Sequence, residues 1–450
     1  MSDSTARCKT VHSSNDKTNK LEIDSKAEKI QLAISKYDKD KLRKLSVSKY
    51  GLVNTEIRAK AWPILIGCHF DEENNDAVDG ESSGPDSVNS QYLAEHRDEL
   101  QVQKDVDRSF VHFPKGMSEQ KEKELKLVLD RLIVRMLREV PELSYYQGYH
   151  DIASVVAIVY GEDERLGFKF LYKLTLEYLR DHMLRDVYPT TAQLKLIPDI
   201  VLHMDAQLGR IVNAVPPMHA ISSIITLFSH DLDDFEAVCL LWDPVFARRD
   251  PAFPLYLYSA LLVGFKKSIL EQLDSLEPGI TKHVDKPANK DYIHAVLSRA
   301  VSQNLNKMDA VSAQRCINLA IELAVRTENE LPFTKLSCAS SISRFSCLRH
   351  QKSAAKMLSL QCAEVQVELQ KRHRREKMVR HLRSLSASCR SLANSIGKMP
   401  LLLRFSLGVG LLTILIGLAL GRNIDFPRWL SKAGKSTNSV FRNALDNLNG

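Results

Sequence analysis

Two short stretches hold side chains whose types and spacing could do chemistry. Val102-Gln103-Lys104-Asp105-Val106-Asp107-Arg108 ends an amphipathic pattern, and Val102, Asp105 and Arg108 step three residues at a time. On a helix they fall within about a third of the circumference, so Asp105 can brace Arg108 as an i,i+3 pair. The second stretch, Leu143-Ser144-Tyr145-Tyr146-Gln147-Gly148-Tyr149-His150-Asp151, is polar and aromatic. Pro141 separates it from the charged amphipathic pattern Glu119 to Arg138. Ile152 to Tyr160 beyond it is apolar on every face, as a buried helix should be. Gly148 allows a close backbone approach or a positive φ. Gln147 is thus displayed on a turn packed against a core helix. A braced guanidinium is a held cation, and a displayed carboxamide both donates and accepts hydrogen bonds. Each stretch alone also reads as ordinary structure, a solvated ion pair in one case and a helix connection with packed tyrosines in the other.

Together the two stretches resemble the catalytic motifs of the TBC-domain Rab GTPase-activating proteins. The first is similar to Ile-x-x-Asp-x-x-Arg, with Val102 in place of isoleucine, and the second to Tyr-x-Gln-Gly-x-x-Asp, as Tyr145, Gln147, Gly148 and Asp151. The resemblance implies that Arg108 and Gln147 are catalytic and act in trans on a GTP-bound Rab-family GTPase. Arg108 would neutralise charge on the transferring phosphoryl group and Gln147 would orient the attacking water. It implies supporting roles for Asp105 as the brace of Arg108, for Tyr145 and Gly148 in shaping the turn, and for Asp151 in anchoring it. GTP and Mg2+ would be bound by the partner, and this chain would carry no cofactor and no metal. A catalytically silent, membrane-tethered Rab-binding adaptor is the competing reading. A missing arginine or glutamine would favour it, and both are present.

Several elements must position these residues. In Gly51 to Gly67, Asn54 or Thr55 can cap a helix with Glu56 in its first turn. Ile57, Ala61 and Leu65 form an apolar stripe. The order of Gly51, Arg58, Trp62 and Gly67 resembles the opening element of TBC domains. Asp71 to Ser90 is an acidic insert with no basic residue, expected as a solvated insertion between helices. Ser118 can cap the helix that follows the arginine stretch, and Asp163 to Leu179 and Thr190 to Leu208 show helical periodicity interrupted by Pro189 and Pro198. Pro216 to Phe246 resembles the late TBC block, with Phe228 and Trp242-Asp243 matching. Ser223 and Ile224 stand where the family usually has a tryptophan. Pro254 to Phe265 is strongly apolar but too short to span a bilayer, so a buried helix is expected. Asp291 to Gln303 and Ala313 to Arg326 are expected to close the fold.

The 450 residues suffice for two ordinary domains or one large domain with appendages. An apolar fraction of 44% is globular, and no sustained period-2 alternation occurs, so the expected class is all-α. Eight scattered cysteines without a C-x-x-C pair argue against a zinc site or disulfide framework and for a reducing cytosolic setting. His112, His150 and His182 form no metal pattern. Gly434-Lys435-Ser436 mimics the end of a P-loop, but the first glycine of that motif would fall on Trp429, so the chain offers no nucleotide site of its own. No apolar stretch follows Met1, which excludes a secretory signal.

The expected organisation is a mostly disordered segment over 1–45, with Lys26 to Lys36 able to form a short helix, a TBC domain over 46–326, a basic juxtamembrane segment over 327–398, a transmembrane helix over 399–421 and a short lumenal tail over 422–450. Phe405 to Leu420 is uncharged and apolar. With Met399 to Leu403 it reaches spanning length and suits a thin membrane such as that of the endoplasmic reticulum. Basic residues lie on both sides of the span, but the denser cluster, Lys371 to Lys398, lies upstream, which places the N-terminal part in the cytosol. Alone, this run fits a solvated helix, nucleic acid or anionic lipid. The adjacent span selects anionic headgroups, and no aromatic residue interleaves the arginines as a nucleic-acid platform requires. The layout most resembles the tail-anchored branch of the family, which implies a Rab of endoplasmic reticulum–Golgi vesicle traffic.

Overall fold

The computed structural model describes residues 4–68, 93–111, 114, 116–327, 340–343, 346–350 and 352–396. The acidic insert 71–90, His112, the apolar span 399–421 and the tail 422–450 lie outside them. The described residues form helices and turns without a strand, in line with the all-α expectation. The chain divides into two compact units, Met1–Glu368 and Leu369–Gly450.

In the first unit, α1 (Ser4–Ser35) and α2 (Lys39–Ser46) precede α3 (Thr55–Ile66). The two polar stretches are carried by α4 (Glu99–Asp107), α5 (Glu119–Glu139) and α6 (Tyr149–Tyr160). Next, α7 (Glu164–Leu174) continues into a π turn, Thr175–Leu179, and a 3₁₀ turn, Arg180–Met183. Three short helices follow, α8 (Tyr188–Leu194), α9 (Ile197–Met204) and α10 (Ala206–Asn213). Thr190 to Leu208 is thus broken twice. Pro198 starts α9 rather than interrupting a longer helix, and the Asp205 carboxylate caps α10 through Gln207 and Leu208. The core closes with α11 (Ile221–Ile225), α12 (Phe235–Arg248), α13 (Phe253–Gly264), α14 (Lys266–Leu276), α15 (Pro287–Leu305) and α16 (Ala310–Thr327). Phe253 to Leu262 of α13 are all buried, as expected of a core helix. Beyond them come α17 (Cys347–His350) and α18 (Ala354–Ile396). No helix among the described residues is long and apolar enough to cross a membrane.

Two expected boundaries need correction. Residues 4–35 and 39–46 are helical rather than disordered. Their polar composition hides an i,i+3/i+4 stripe of Ile23, Lys26, Ile30 and Ala33, with Ile30 and Ala33 buried. Lys26 joins this stripe through its aliphatic stem, and its ammonium donates to the carbonyls of Ser48 and Lys49. Burial lowers its pKa to about 8. At the other end, the fold does not stop at 326. Ile342, Met357, Leu358 and Val365 are buried in the same core, so a compositional shift toward basic residues was not a domain boundary.

Asp243, fully buried on α12, ties the start of the domain to its late block. Its carboxylate accepts from the Leu52 amide (2.8 Å), the Trp62 indole (2.8 Å) and the Arg58 Nε (3.2 Å). Arg58 also pairs with Glu236. Gly51 has φ +52°, and an added Cβ would collide with Asp243 Oδ2. The Trp62 ring packs among Phe170, Trp242 and Phe246, with centroids 5.9, 5.7 and 5.2 Å away. Removing the carboxylate leaves Arg58, which is 2% exposed, without its buried partner and with only the half-exposed Glu236 of the two carboxylates. We expect Asp243→Ala to cost about 3–5 kcal/mol, read as a lower denaturant midpoint. A change within about 0.5 kcal/mol, the range of ordinary surface substitutions, would contradict this account.

Candidate functional site

Arg108 is the C-terminal cap residue of α4, and its side chain is 53% exposed. Val102 and Val106 turn into the core and fix the rotation of the helix. That rotation puts Asp105 just beneath the surface, 1% exposed, where Oδ1 pairs with Arg108 Nη2 at 2.7 Å. The same carboxylate accepts from the Tyr145 hydroxyl at 2.8 Å and from Gln101 Nε2 at 3.3 Å. Asp105 is therefore the shared anchor of the arginine stretch and the glutamine stretch. Burial first, and then the Asp105 carboxylate, push the Tyr145 hydroxyl far above its ordinary pKa, so it stays a donor.

The segment before α4 holds the glutamine turn from the other side. Asp98 accepts from the Tyr145 amide at 2.9 Å. Arg97 donates to the carbonyls of Pro141 and Leu143 and to the Ser144 hydroxyl, and His96 Nε2 lies 3.0 Å from the Leu143 carbonyl. The Ser144 amide donates to the Met183 carbonyl at 2.6 Å, and the Tyr146 hydroxyl to Ile225 at 2.6 Å. Gly148 is the N-terminal cap residue of α6 with φ +109°, and an added Cβ would meet Thr226 Cγ2 at 2.9 Å. The positive φ expected there is present, as is the exposed Gln147.

Arg108, Gln147, Gly148 and Asp151 all border one cleft of about 590 Å³, closed on the far side by Ile225, Thr226 and His230. Asp151 spans it. Its Oδ2 meets His230 Nδ1 at 3.0 Å and its Oδ1 lies 3.4 Å from His150 Nε2, while its amide donates to the Gly148 carbonyl. His150, buried, also lies 3.1 Å from the Tyr145 hydroxyl. Burial lowers its pKa despite Asp151 and Asp105, whereas the Asp151 hydrogen bond raises that of His230. All six residues singled out in the two stretches thus meet in this region. Sequence reasoning missed Arg97, Asp98, His150 and His230. His150 lies inside the glutamine stretch, and its neighbours were the available signal. His230 is 79 residues from Asp151, and nothing local in the sequence marks it. No cluster that could hold a metal occurs among the described residues.

Comparison with known proteins finds one family model and several relatives that the chain is similar to. Residues 55–270 match the family model described as Rab-GTPase-TBC domain. The chain is 32% identical to TBC1 domain family member 20 of Bos taurus over 233 residues, covering 51% of this chain and 54% of that protein. The chain thus spans about half the length of this relative and of its Homo sapiens counterpart. It is also 26% identical to the GTPase-activating protein gyp10 of Schizosaccharomyces pombe, over 78% of this chain and 88% of that one. A crystal structure of the Ypt/Rab-GAP domain of Gyp1p aligns at 15% identity with a TM-score of 0.45, covering 66% of this chain and 99% of that one. Both site stretches lie inside the residues of the TBC match.

The pair between Asp151 and His230 gives the cleft a pH signature. A raised imidazole pKa means that the contact's stability is full below the ordinary histidine value and is lost as pH rises through the raised one. Asp151→Asn should move the His230 midpoint down toward its ordinary value, followed by NMR titration of the ring protons. An unmoved midpoint would show that the contact is absent in solution.

Proposed function

We propose that this protein accelerates GTP hydrolysis by a Rab-family GTPase, supplying Arg108 and Gln147 in trans. One observation carries the reading. Arg108 and Gln147 are exposed on a single cleft, while the groups that hold them, Asp105 and Tyr145, are buried or partly buried beneath. The transition state of phosphoryl transfer spreads negative charge over the transferring group. Arg108 places a planar cation over that charge, and the Gln147 carboxamide orients the water that attacks. GTP and Mg2+ belong to the partner. The chain acts as an activator with no nucleotide site of its own. Asp105 braces Arg108, Tyr145 ties the brace to the turn, Gly148 lets the turn form, and Asp151 fixes its far edge.

The finer assignment is to traffic between the endoplasmic reticulum and the Golgi, with the TBC domain facing the cytosol and one helix over 399–421 in the membrane. The uncharged run Phe405 to Leu420 supports it. So does the exposed basic stretch of α18 with Lys371, Arg374, Arg375, Lys377, Arg380 and Arg383, which suits anionic headgroups. Deleting Lys398 to Gly450 should release the protein into the soluble fraction, whereas charge-to-alanine changes over Lys371 to Arg383 should loosen it only slightly. Carbonate-resistant retention of the truncated chain would refute a single anchor.

The activity itself is tested by single-turnover phosphate release across purified Rab proteins. Arg108→Ala should remove nearly all stimulation, and Arg108→Lys should be poor because it lacks the planar fork. Gln147→Ala should cost about 3–4 kcal/mol, a few hundred-fold in rate. If Gln147 orients the water, a Rab whose own switch glutamine is changed to Ala remains responsive to the wild-type protein. A fully resistant Rab variant, with Gln147→Ala active on wild-type Rab, would reduce the mechanism to an arginine finger alone. Wild-type rates in Arg108→Ala would sink the assignment.

A further inference from the structure

The matched TBC residues end at 270, yet the compact unit that contains the cleft runs to Glu368. The contact that joins its late part to the site is centred on Asp181. This carboxylate is fully buried in the 3₁₀ turn Arg180–Met183. It accepts from Gln193 Nε2 at 2.6 Å, Ser340 Oγ at 2.5 Å, the Ser341 amide at 2.8 Å and Gln361 Nε2 at 2.6 Å. Gln361 is itself fully buried, and its Oε1 accepts from Arg180 Nε at 2.7 Å. Three of these four donors to Asp181 come from beyond residue 327. A buried carboxylate deprived of them would have to move or protonate.

The two residues after Asp181 support the glutamine turn. The Met183 carbonyl accepts from the Ser144 amide, and the His182 ring meets the Tyr146 ring edge-on at 6.1 Å. Tyr146 directly precedes Gln147. We propose that Asp181 and Gln361 are positioning residues for Gln147, and that the catalytic unit extends through residue 361 because Ser340, Ser341 and Gln361 fix the turn on which the glutamine rests. The proposal deepens, and rests on, the reading of Gln147 as the group that orients water. The Arg180–Met183 turn touches Ser144 and Tyr146, the second of them directly beside Gln147, whereas Arg108 is reached from it only through the further links of Tyr145 to Asp105 and Asp105 to Arg108. The effect should therefore fall on the step that Gln147 serves.

The test is Gln361→Met in the full-length chain, which keeps the volume of the side chain and removes its hydrogen bonds with Asp181 and Arg180. Ser340→Ala serves as a milder second variant and Ile269→Val, buried in α14, as a packing control. Hydrogen exchange read by mass spectrometry over residues 143–149 needs no partner. Gln361→Met should raise exchange of the Ser144 amide and its neighbours, and Ile269→Val should not. On a Rab that the wild-type protein stimulates, Gln361→Met should lower kcat roughly 10- to 100-fold, as a small misplacement of a catalytic group does, with KM within about twofold. In a Gln147→Ala background the same change should add little, since residues acting through one group are not additive. Unchanged exchange over 143–149, or losses that multiply in the double variant, would overturn the proposal. A wild-type protein that stimulates no Rab, with exchange responding as expected, would instead overturn the activity and leave the mechanical link standing.

Discussion

The Asp105 carboxylate is the interaction on which the site depends. Removing a carboxylate from water costs several kcal/mol unless donors surround it. Arg108, Tyr145 and Gln101 supply them. Two come from α4 and one from the glutamine turn, so satisfying this one charge forces two segments forty residues apart into register. The brace and the turn are therefore not separately adjustable. Displacing Tyr145 strips the carboxylate of a donor and leaves it to Arg108 and Gln101 on the α4 side.

The same device recurs. Asp243 gathers Leu52, Arg58 and Trp62 from the start of the domain, and Asp181 gathers Ser340, Ser341 and Gln361 from its end. This follows from the architecture. Helices satisfy their backbone groups internally, so an all-helical fold has no ladder of backbone bonds between elements to set their register. Apolar packing is non-directional. Buried carboxylates, acceptors with a fixed geometry, can specify which segments meet. Whether each adds stability over an apolar pair is a separate matter; what these three do is define neighbours.

Which parts were legible in the sequence follows from the same distinction. The i,i+3 step from Asp105 to Arg108, the glycine after Gln147 and the apolar helix from Ile152 are local patterns, and the structure reproduces each. The apolar run at Pro254 to Phe265 was legible as a core helix by length alone. What failed was inference from composition. Residues 1–45 look polar, but Ile23, Ile30 and Ala33 recur on one helical face with the Lys26 stem between them. Residues past 326 turn basic, yet Ile342, Met357, Leu358 and Gln361 are buried. Composition averages over faces, and burial is decided face by face. His230 and Arg97 were illegible for another reason, since their partners are fixed only once the helices have packed.

The contrast in exposure between Asp105 and Arg108 also bears on how such a site can work. A guanidinium buried with its carboxylate would be rigid but unable to meet a second anion. An arginine paired only at the surface would gain about 0–1 kcal/mol and wander. Here the acceptor is 1% exposed and the donor 53% exposed. The buried partner cannot move, because Tyr145 and Gln101 hold it, so the direction of the pair is set from below. The pair engages Nη2, and the guanidinium carries five donors in a planar fork. One edge can stay on Asp105 while the opposite edge stays open to a second anion. The displayed cation is thus oriented before any partner arrives, and much of the entropy of ordering a long side chain is lost on folding rather than on binding.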